Sequence, residues 1–391
     1  MSGPLAGVRV LEFGNLVAAP YCGMLLADLG ADVIKVEPPD GDLARHIGPF
    51  VEGESGFFRA VNRGKRSVAA DPKHPEARHL LREMARAADV VIHNLRRGAM
   101  ERMGLGYPEL AAKNPGLVYA VISAFGASGP YADRAGIDLI FQGEAGMMSI
   151  GGEPGGGPQK TATTIADFVA GTNAALLVVA ALVSRGATGL GRVVETSLRD
   201  GLIAVQAGWN AQFFVTGRQP ERTGTASPVT APNQTFTTAD GHVNLAIVSD
   251  RHFQRACELI GLGALSNEER FATNELRVAQ RHELAGLFQE VLATKPTDHW
   301  LTLLGGAGLP VGRILTLPEV FADPQVLHND MVVDLDGYRT QGSPLRSDGA
   351  SVISHRQSPG LGEHTAAIIG ELGVSSERLD RLVADGALLV G

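Results

Sequence analysis

The 391-residue chain is poor in cysteine and aromatic side chains and has no excess of positive charge. Its two cysteines, Cys22 and Cys257, are too far apart in sequence for a metal-ligand spacing or a disulfide framework. No metal site is expected from them, and a reducing compartment, the cytoplasm, is the simple reading. A net charge of −8 lacks the basic footprint of a nucleic-acid binder, so no such partner is expected. The N-terminus has no basic segment followed by an apolar core, and a signal peptide is not expected. The most apolar stretch, residues 169–184, is shorter than the ~20 residues that span a bilayer and contains Asn173, so it reads as a buried helix with no membrane role. Missing too is GxGxxG in the first strand-to-helix turn, which reads FGNLVAAP; the fingerprint of a nicotinamide enzyme is absent where it should stand.

What remains is an ordinary globular balance, 44% hydrophobic and 19% charged, with 49 glycines suited to tight turns and close backbone approach to a ligand. Residues 8–13 (VRVLEF) form a β-like run, 18–29 have helical spacing closed by Gly30, and 33–37 (VIKVE) form a second strand. Strand, helix, strand in so short a span predicts a βαβ unit and a parallel sheet. Helices at 75–88 and 108–113 and strands at 90–93 and 117–123 continue the alternation, which is doubly wound α/β architecture. A glycine-rich loop at 151–158 precedes a long helix near 168–185, then a strand at 193–197 and a helix at 198–215. Residues 217–233 are rich in Pro, Gly and Thr. Beyond them, 234–238 and 243–248 flank Asp240-Gly241, a hairpin signal. The chain divides into residues 1–216 (first part of a large α/β domain, with a linker helix), 225–325 (a smaller α+β domain) and 326–391 (a return linker and the rest of the large domain).

Asp167 stands directly before the apolar helix FVAGTNAALLVVAALVSR, the place of an N-cap, where Asp is among the best residues. A helix N-terminus favours negative charge, so the same placement is expected to keep the carboxylate ionised and nucleophilic. Free backbone N–H groups there can meet developing oxyanion charge, and carboxylate nucleophiles form covalent acyl intermediates. Cap and catalyst are compatible readings, and the residues alone leave both open. Residues 62–66 (NRGKR), Lys73, Arg96, Arg97 and Arg102 follow strands, where open α/β sheets bind ligands and Arg can grip phosphate. A solvated basic face is the alternative. His93, Glu195, Asp200, Met147 and Met148 read as structural.

Taken in order, PLAGVRVLEF, GADVIKVE, NRGKRSVAADPK, DVVIHNLRRGAMERMG, SAFGASGPYADRAGIDLIFQ, ADFVAG, GLGRVVETSLRDG, ADGHVNLAI and LGEHTAAIIGELG run along nearly the whole chain. In them the sequence resembles the class III coenzyme A transferases, which include formyl-CoA:oxalate and carnitine CoA-transferases and the α-methylacyl-CoA racemases. The resemblance implies a large Rossmann-like domain with a parallel sheet plus a smaller α+β domain, in an interlocked, ring-like homodimer. It implies coenzyme A and acyl-CoA as substrates alongside a carboxylic acid, with no permanently bound cofactor. It places the nucleophile on Asp167, a supporting acid on Asp138, and coenzyme contacts on Val17, Ala18, Lys73, Asn94, Leu95, Arg96, Arg102, Met103 and Arg134. Where a relative has an arginine after the IKxE strand this chain has Pro38, and Arg45 is the substitute. The loop 222–228 (RTGTASP) keeps only Gly224 of the family's glycine pattern. The racemases' AGHD is AGID here, and Ile137 cannot transfer a proton, which favours transfer over racemisation. An isomerase with a substitute base and a non-catalytic acyl-CoA binder are the two alternatives.

Overall fold

The structure, a computed structural model, describes residues 3–391. Two compact units emerge, and the chain passes between them more than once: described residues up to 147, 160–211 and 323–391 belong to one, residues 148–159 and 212–322 to the other.

The larger unit is built on a mostly parallel, seven-stranded sheet. Its strands are β1 (Arg9–Phe13), β2 (Asp32–Glu37), β3 (Arg66–Ala70), β4 (Val90–His93), β5 (Val118–Ser123) and β6 (Val193–Ser197), plus a C-terminal strand, Leu388–Leu389. Across the sheet the order is C-terminal strand, β3, β2, β1, β4, β5, β6. All neighbours are parallel except the C-terminal strand, which runs antiparallel to β3. Strand order therefore reverses at β1, between β2 and β4, which makes the carboxyl ends there the natural ligand crevice.

Alternation along the strands loads both faces, as a parallel sheet between two helical layers requires. Val10, Val33, Val90, Ile92, Val118, Ala120 and Ile122 pack with helices α1 (Ala18–Asp28) and α4 (Ile165–Thr188). Leu11, Ile34, Val36, Val68, Val91 and Tyr119 face the other way, toward α2 (Pro75–Ala87) and the C-terminal helix Thr365–Glu371. A short helix α3 (Asp138–Glu144) and α5 (Leu198–Val205) lie against α4. The helix 198–215 expected from sequence is interrupted at Gln206 and resumes as Ala207–Thr216.

Helix α4 is longer than the apolar run suggested. Its 24 residues are long and apolar enough, by length and composition alone, to cross a membrane. In the fold it buries Ala166, Ala170, Gly171, Ala174, Ala175, Val178 and Ala181 and leaves Leu176 and Val183 exposed on another side. Small residues on the buried face are what let a helix approach its neighbours closely. Gly189, left-handed at φ 72°, ends it by donating to Arg185 O.

The smaller unit has a three-stranded antiparallel sheet, Val311–Arg313, His242–Ala246 and Asn233–Thr237, over a core that includes Phe236, Phe253, Phe271, Phe288 and Trp300. Its hairpin turn falls at Asp240-Gly241 as the sequence predicts, and Asp240 accepts hydrogen bonds from the Thr297 N–H and hydroxyl.

Candidate active site

Beyond the carboxyl ends of β1, β2, β3 and β4 lies a cavity of about 200 Å³. Phe13, Gly14, Val36, Pro38, Ala70, Pro72, Leu81, Leu95 and Met103 line it, with Asn15, Glu37 and Asp42 as polar members. A mostly apolar slot with a few polar groups suits a flat heterocycle. It sits at the reversal of strand order. Lys73 and Arg96, each next in sequence to a lining residue, and Arg102 are exposed, and among the described residues none of the three forms an ion pair. They are free to meet phosphate.

Beneath the cavity is a buried ionic network. Lys35 Nζ lies 3.0 Å from Glu12 and 2.7 Å from Asp42 and donates to Gly14 O at 2.9 Å. Lys65 Nζ is 2.7 Å from the other Glu12 oxygen and donates to Pro20 O and Asn62. Arg45 grips both Glu37 oxygens at 2.6 and 2.8 Å and lies over the Phe58 ring. Three cations balance three carboxylates, the condition under which buried charge is tolerable. Gly23 on α1 makes room for the network, since a Cβ there would lie 2.2 Å from a Glu12 oxygen.

One expectation is corrected by this network. The basic run 62–66 does not face a phosphate: Lys65 is inside, Arg63 pairs with buried Asp28, and Arg66 pairs with Asp32 and Glu371. Arg45, expected to substitute for the arginine absent at Pro38, has its Nε and Nη2 held by Glu37 and Pro359 O. Arg134 is likewise engaged, bound to Glu144 and stacked on Phe125 and Tyr131. Charged residues inside a β-rich motif look solvent-facing in sequence, and nothing in their spacing announced burial.

Asp167 is the third residue of α4, not its cap; Thr164 holds the cap position and makes no side-chain cap bond. That missing bond is supplied from elsewhere. Asp138, at the start of α3, accepts the Ala166 N–H at 2.9 Å through one oxygen and Gln142 Nε2 at 2.6 Å through the other. Gln142 is in turn fixed by accepting the Thr161 N–H at 2.8 Å. Sequence reasoning missed Gln142, although its i, i+4 spacing from Asp138 puts both on one helix face.

The Asp167 carboxyl is half-buried, and its pKa is pushed up to about 7, first by burial and then by the charge of Asp138. Hydrogen bonds from backbone N–H groups, that of Ala18 foremost, pull the other way and lose. The helix N-terminus therefore does not keep this carboxylate at the ordinary acidity, contrary to expectation. A carboxylate that resists ionisation is, once ionised, poorly solvated and strongly basic for its type, which makes it a better nucleophile. The Ala18 N–H at its side is placed to meet oxyanion charge. Val17 precedes it as the cap residue of α1.

Close approach of α1 and α4 brings Ala18 to Asp167. Gly171, one turn beyond Asp167, permits it: a Cβ would lie 2.7 Å from Ala18 O and 3.1 Å from the Tyr21 ring. Gly171→Ala is expected to cost about 1–3 kcal/mol through overpacking and to lower turnover as the Ala18 N–H leaves the carboxyl. A variant with wild-type melting temperature and kcat would show that the approach is not needed.

Comparison with known proteins agrees on one assignment. The model of CoA-transferase family III matches residues 5–365. The chain is 41% identical over 387 residues to the succinate–glutarate CoA-transferase of Agrobacterium fabrum, covering 94% of this chain and 96% of that protein. It is 34% identical over 376 residues to human succinyl-CoA:glutarate CoA-transferase, covering 94% and 86%. A crystal structure of a CaiB/BaiF family protein from Brucella suis superposes with a TM-score of 0.86 at 41% identity, covering 95% of this chain and 100% of that one.

Proposed function

The chain belongs to CoA-transferase family III and is a transferase acting on coenzyme A thioesters, and we propose that it moves the coenzyme between carboxylic acids through Asp167. The observation that carries the reading is the half-buried Asp167 carboxyl, raised to about 7 and set against the Ala18 N–H on the turn that leads from the cavity. The ionised carboxylate attacks the thioester carbonyl of a donor acyl-CoA. The C–S bond breaks, leaving a mixed anhydride and coenzyme A thiolate. The thiolate attacks the aspartyl carbonyl, the anhydride C–O bond breaks, and the donor acid departs as carboxylate. An Asp167–coenzyme A thioester remains. An acceptor carboxylate then repeats both steps in reverse, restoring Asp167. No proton is consumed and no nucleotide is hydrolysed, since anhydride and thioester have similar group-transfer potential.

The chain's own residues supply the surroundings. The cavity, with Asn94, Leu95 and Met103, would take the coenzyme's base, and Lys73, Arg96 and Arg102 its phosphates. Asp138 fixes the first turn of α4 and keeps Asp167 basic. Excluding water protects the anhydride and thioester from hydrolysis. The relatives' names support succinyl-CoA as donor and a short dicarboxylate such as glutarate as acceptor. The Ile137 side chain, 63% exposed beside Asp138, offers the acyl group an apolar wall and no proton.

We further place the protein in the cytoplasm as a homodimer, interlocked as the family resemblance implies. Two unpaired, buried cysteines suit a reducing compartment, and exposed Leu176, Val183, Ile203 and Val205 of the larger unit suit burial against a partner. The chemical test is mass spectrometry of the intact protein after succinyl-CoA, with hydroxylamine trapping and peptide mapping. The adduct is expected on Asp167. Full transferase turnover with no adduct there would refute the mechanism.

A further inference from the structure

Between the cavity and Asp167 runs the five-residue turn Gly14, Asn15, Leu16, Val17, Ala18, and four of its backbone groups are tied from outside. Gly14 O accepts from Lys35 Nζ at 2.9 Å. Asn15 is clamped on both sides by one amide, since its N–H donates to Asn94 Oδ1 at 2.9 Å and its carbonyl accepts from Asn94 Nδ2 at 2.9 Å. Leu16 is held at φ 62°, a left-handed conformation that a branched apolar side chain seldom adopts. Strain of this kind costs about 1–3 kcal/mol and persists only where the surroundings impose it.

What imposes it is Asp42. Its Oδ1 accepts the Leu16 N–H at 3.0 Å and the Ala44 N–H at 2.8 Å, while its Oδ2 lies 2.7 Å from Lys35 Nζ. The Asn15 side chain helps, accepting the same Leu16 N–H at 3.1 Å and the Leu43 N–H at 3.0 Å. Asp42 is only 2% exposed, and its backbone N–H is itself held by Glu37 at 3.1 Å. The anchor is therefore rigid. Two residues past the strained Leu16 comes Ala18, the first residue of α1, where α1 lies so close to α4 that a Cβ on Gly171, one turn from Asp167, would be 2.7 Å from Ala18 O; from there its N–H favours the ionised Asp167 carboxyl. An error of about 1 Å in such a group costs on the order of 10²-fold in rate.

We infer that Asp42 is a positioning residue for CoA transfer: locked by Lys35, it holds Leu16 left-handed and so aims the Ala18 N–H at the Asp167 carboxyl. The inference rests on Asp167 being the nucleophile. Asp42 touches neither the thioester nor Asp167; it acts through the turn. A charged residue is suited to the task because Lys35 holds one carboxylate oxygen while the other is left to accept the Leu16 and Ala44 N–H groups. Because Gly14, Asn15 and Asp42 also line the cavity, the part of the coenzyme seated there rests on the device that sets the nucleophile's surroundings.

The test compares wild type with Asp42→Ala, Asp42→Asn and Asn15→Ala. Adduct formation from succinyl-CoA is first confirmed on wild-type Asp167, so that failure of the parent reading is seen separately as an adduct elsewhere or none. Next, kcat and its pH dependence are measured. Asp42→Ala is expected to lose about 10–100-fold in kcat, and the pH at which the Asp167 limb reaches half its height is expected to move upward. The sign follows from the Ala18 N–H, which favours the ionised carboxyl; its loss favours the protonated one. Asp138 is untouched by these changes. Asp42→Asn, which keeps an acceptor for the Leu16 N–H, is expected to recover part of the rate. Asn15→Ala leaves the ionic network whole and decides the matter should Asp42→Ala fail to fold; a smaller loss with the same upward shift is expected. A lower melting temperature with unchanged midpoint in Asn15→Ala, or wild-type kcat in Asp42→Ala, would overturn the inference.

Discussion

Asp167→Asn is expected to reduce CoA transfer by at least ~10³-fold, as loss of a covalent nucleophile does, and at the same time to raise the melting temperature at pH 8. The second half follows from the raised pKa. The folded protein holds the Asp167 proton up to about pH 7, whereas an unfolded chain releases it near ~3.9. Between those values the folded state binds more protons, so stability from this group is complete below the unfolded value and is lost as pH rises through 7. Above pH 7 the wild type carries a buried, repelled charge that the asparagine variant lacks. The distance between the folded and unfolded values sets a ceiling of about 4 kcal/mol. Partial exposure and an imperfect fit of the amide to the Ala18 N–H reduce it, and about 1–2 kcal/mol, a few degrees in melting temperature, is the expected gain. Melting curves at pH 5 and pH 8 check it: the gap between the two proteins should be clearly smaller at pH 5 than at pH 8. In the wild type, the same group makes kcat/KM fall about tenfold per pH unit below 7. An active asparagine variant, or one less stable than wild type at pH 8, would contradict the role given to burial here.

Lys35→Met should be among the most damaging substitutions in the molecule. Lys35 is fully buried and answers Glu12, Asp42 and Gly14 O together. Methionine fills the space and leaves the carboxylates with Lys65 and Arg45 as their only nearby cations. Removing one member of a buried ion pair costs about 3–5 kcal/mol. Burial by itself raises the pKa of Asp42, and Lys35 reverses that so the net direction is downward. Wild-type stability from Asp42 is thus present at neutral pH and lost only in acid, below its ordinary range. Without Lys35 the burial effect prevails, the folded carboxyl takes up a proton more readily than the unfolded one, and stability returns as pH falls. The deficit against wild type, measured by denaturant titration, should therefore shrink from pH 8 to pH 5. A deficit of equal size at both values would mean that lost packing, not unpaired charge, is the cause.

The alternating strands and helices of the larger unit were legible because period-2 and period-3.6 patterns switch sharply there, and the parallel sheet follows from βαβ connectivity. Asp167 was visible as an acid at the head of an apolar helix, and only the chain-wide resemblance favoured the catalytic reading over the cap. Its raised pKa was not legible, because it comes from Asp138, on another helix, and from burial that no local pattern encodes. The same holds for Lys35, Asp42 and Lys65. In sequence they read as ordinary charges after apolar runs; in the fold they meet residues far away, as Asn15 meets Asn94, 79 positions along the chain. Polar networks of this kind depend on tertiary geometry, which periodicity does not carry.

The antiparallel strand at the edge of the sheet also orders events during synthesis. Leu388 and Leu389 complete the sheet on β3, and the neighbouring segment is tied to it by Gly362 N–H to Ser67, 295 residues away, and by Thr365 to Ala69, 296 residues away. These contacts cover a sheet edge that would otherwise offer unpaired backbone groups. While the ribosome makes the intervening chain, the β3 edge stays open, whereas the sheet and helices of residues 212–322 are already complete enough to form their own core. The smaller unit can thus mature on the ribosome, and the larger unit must wait for residues 362–389.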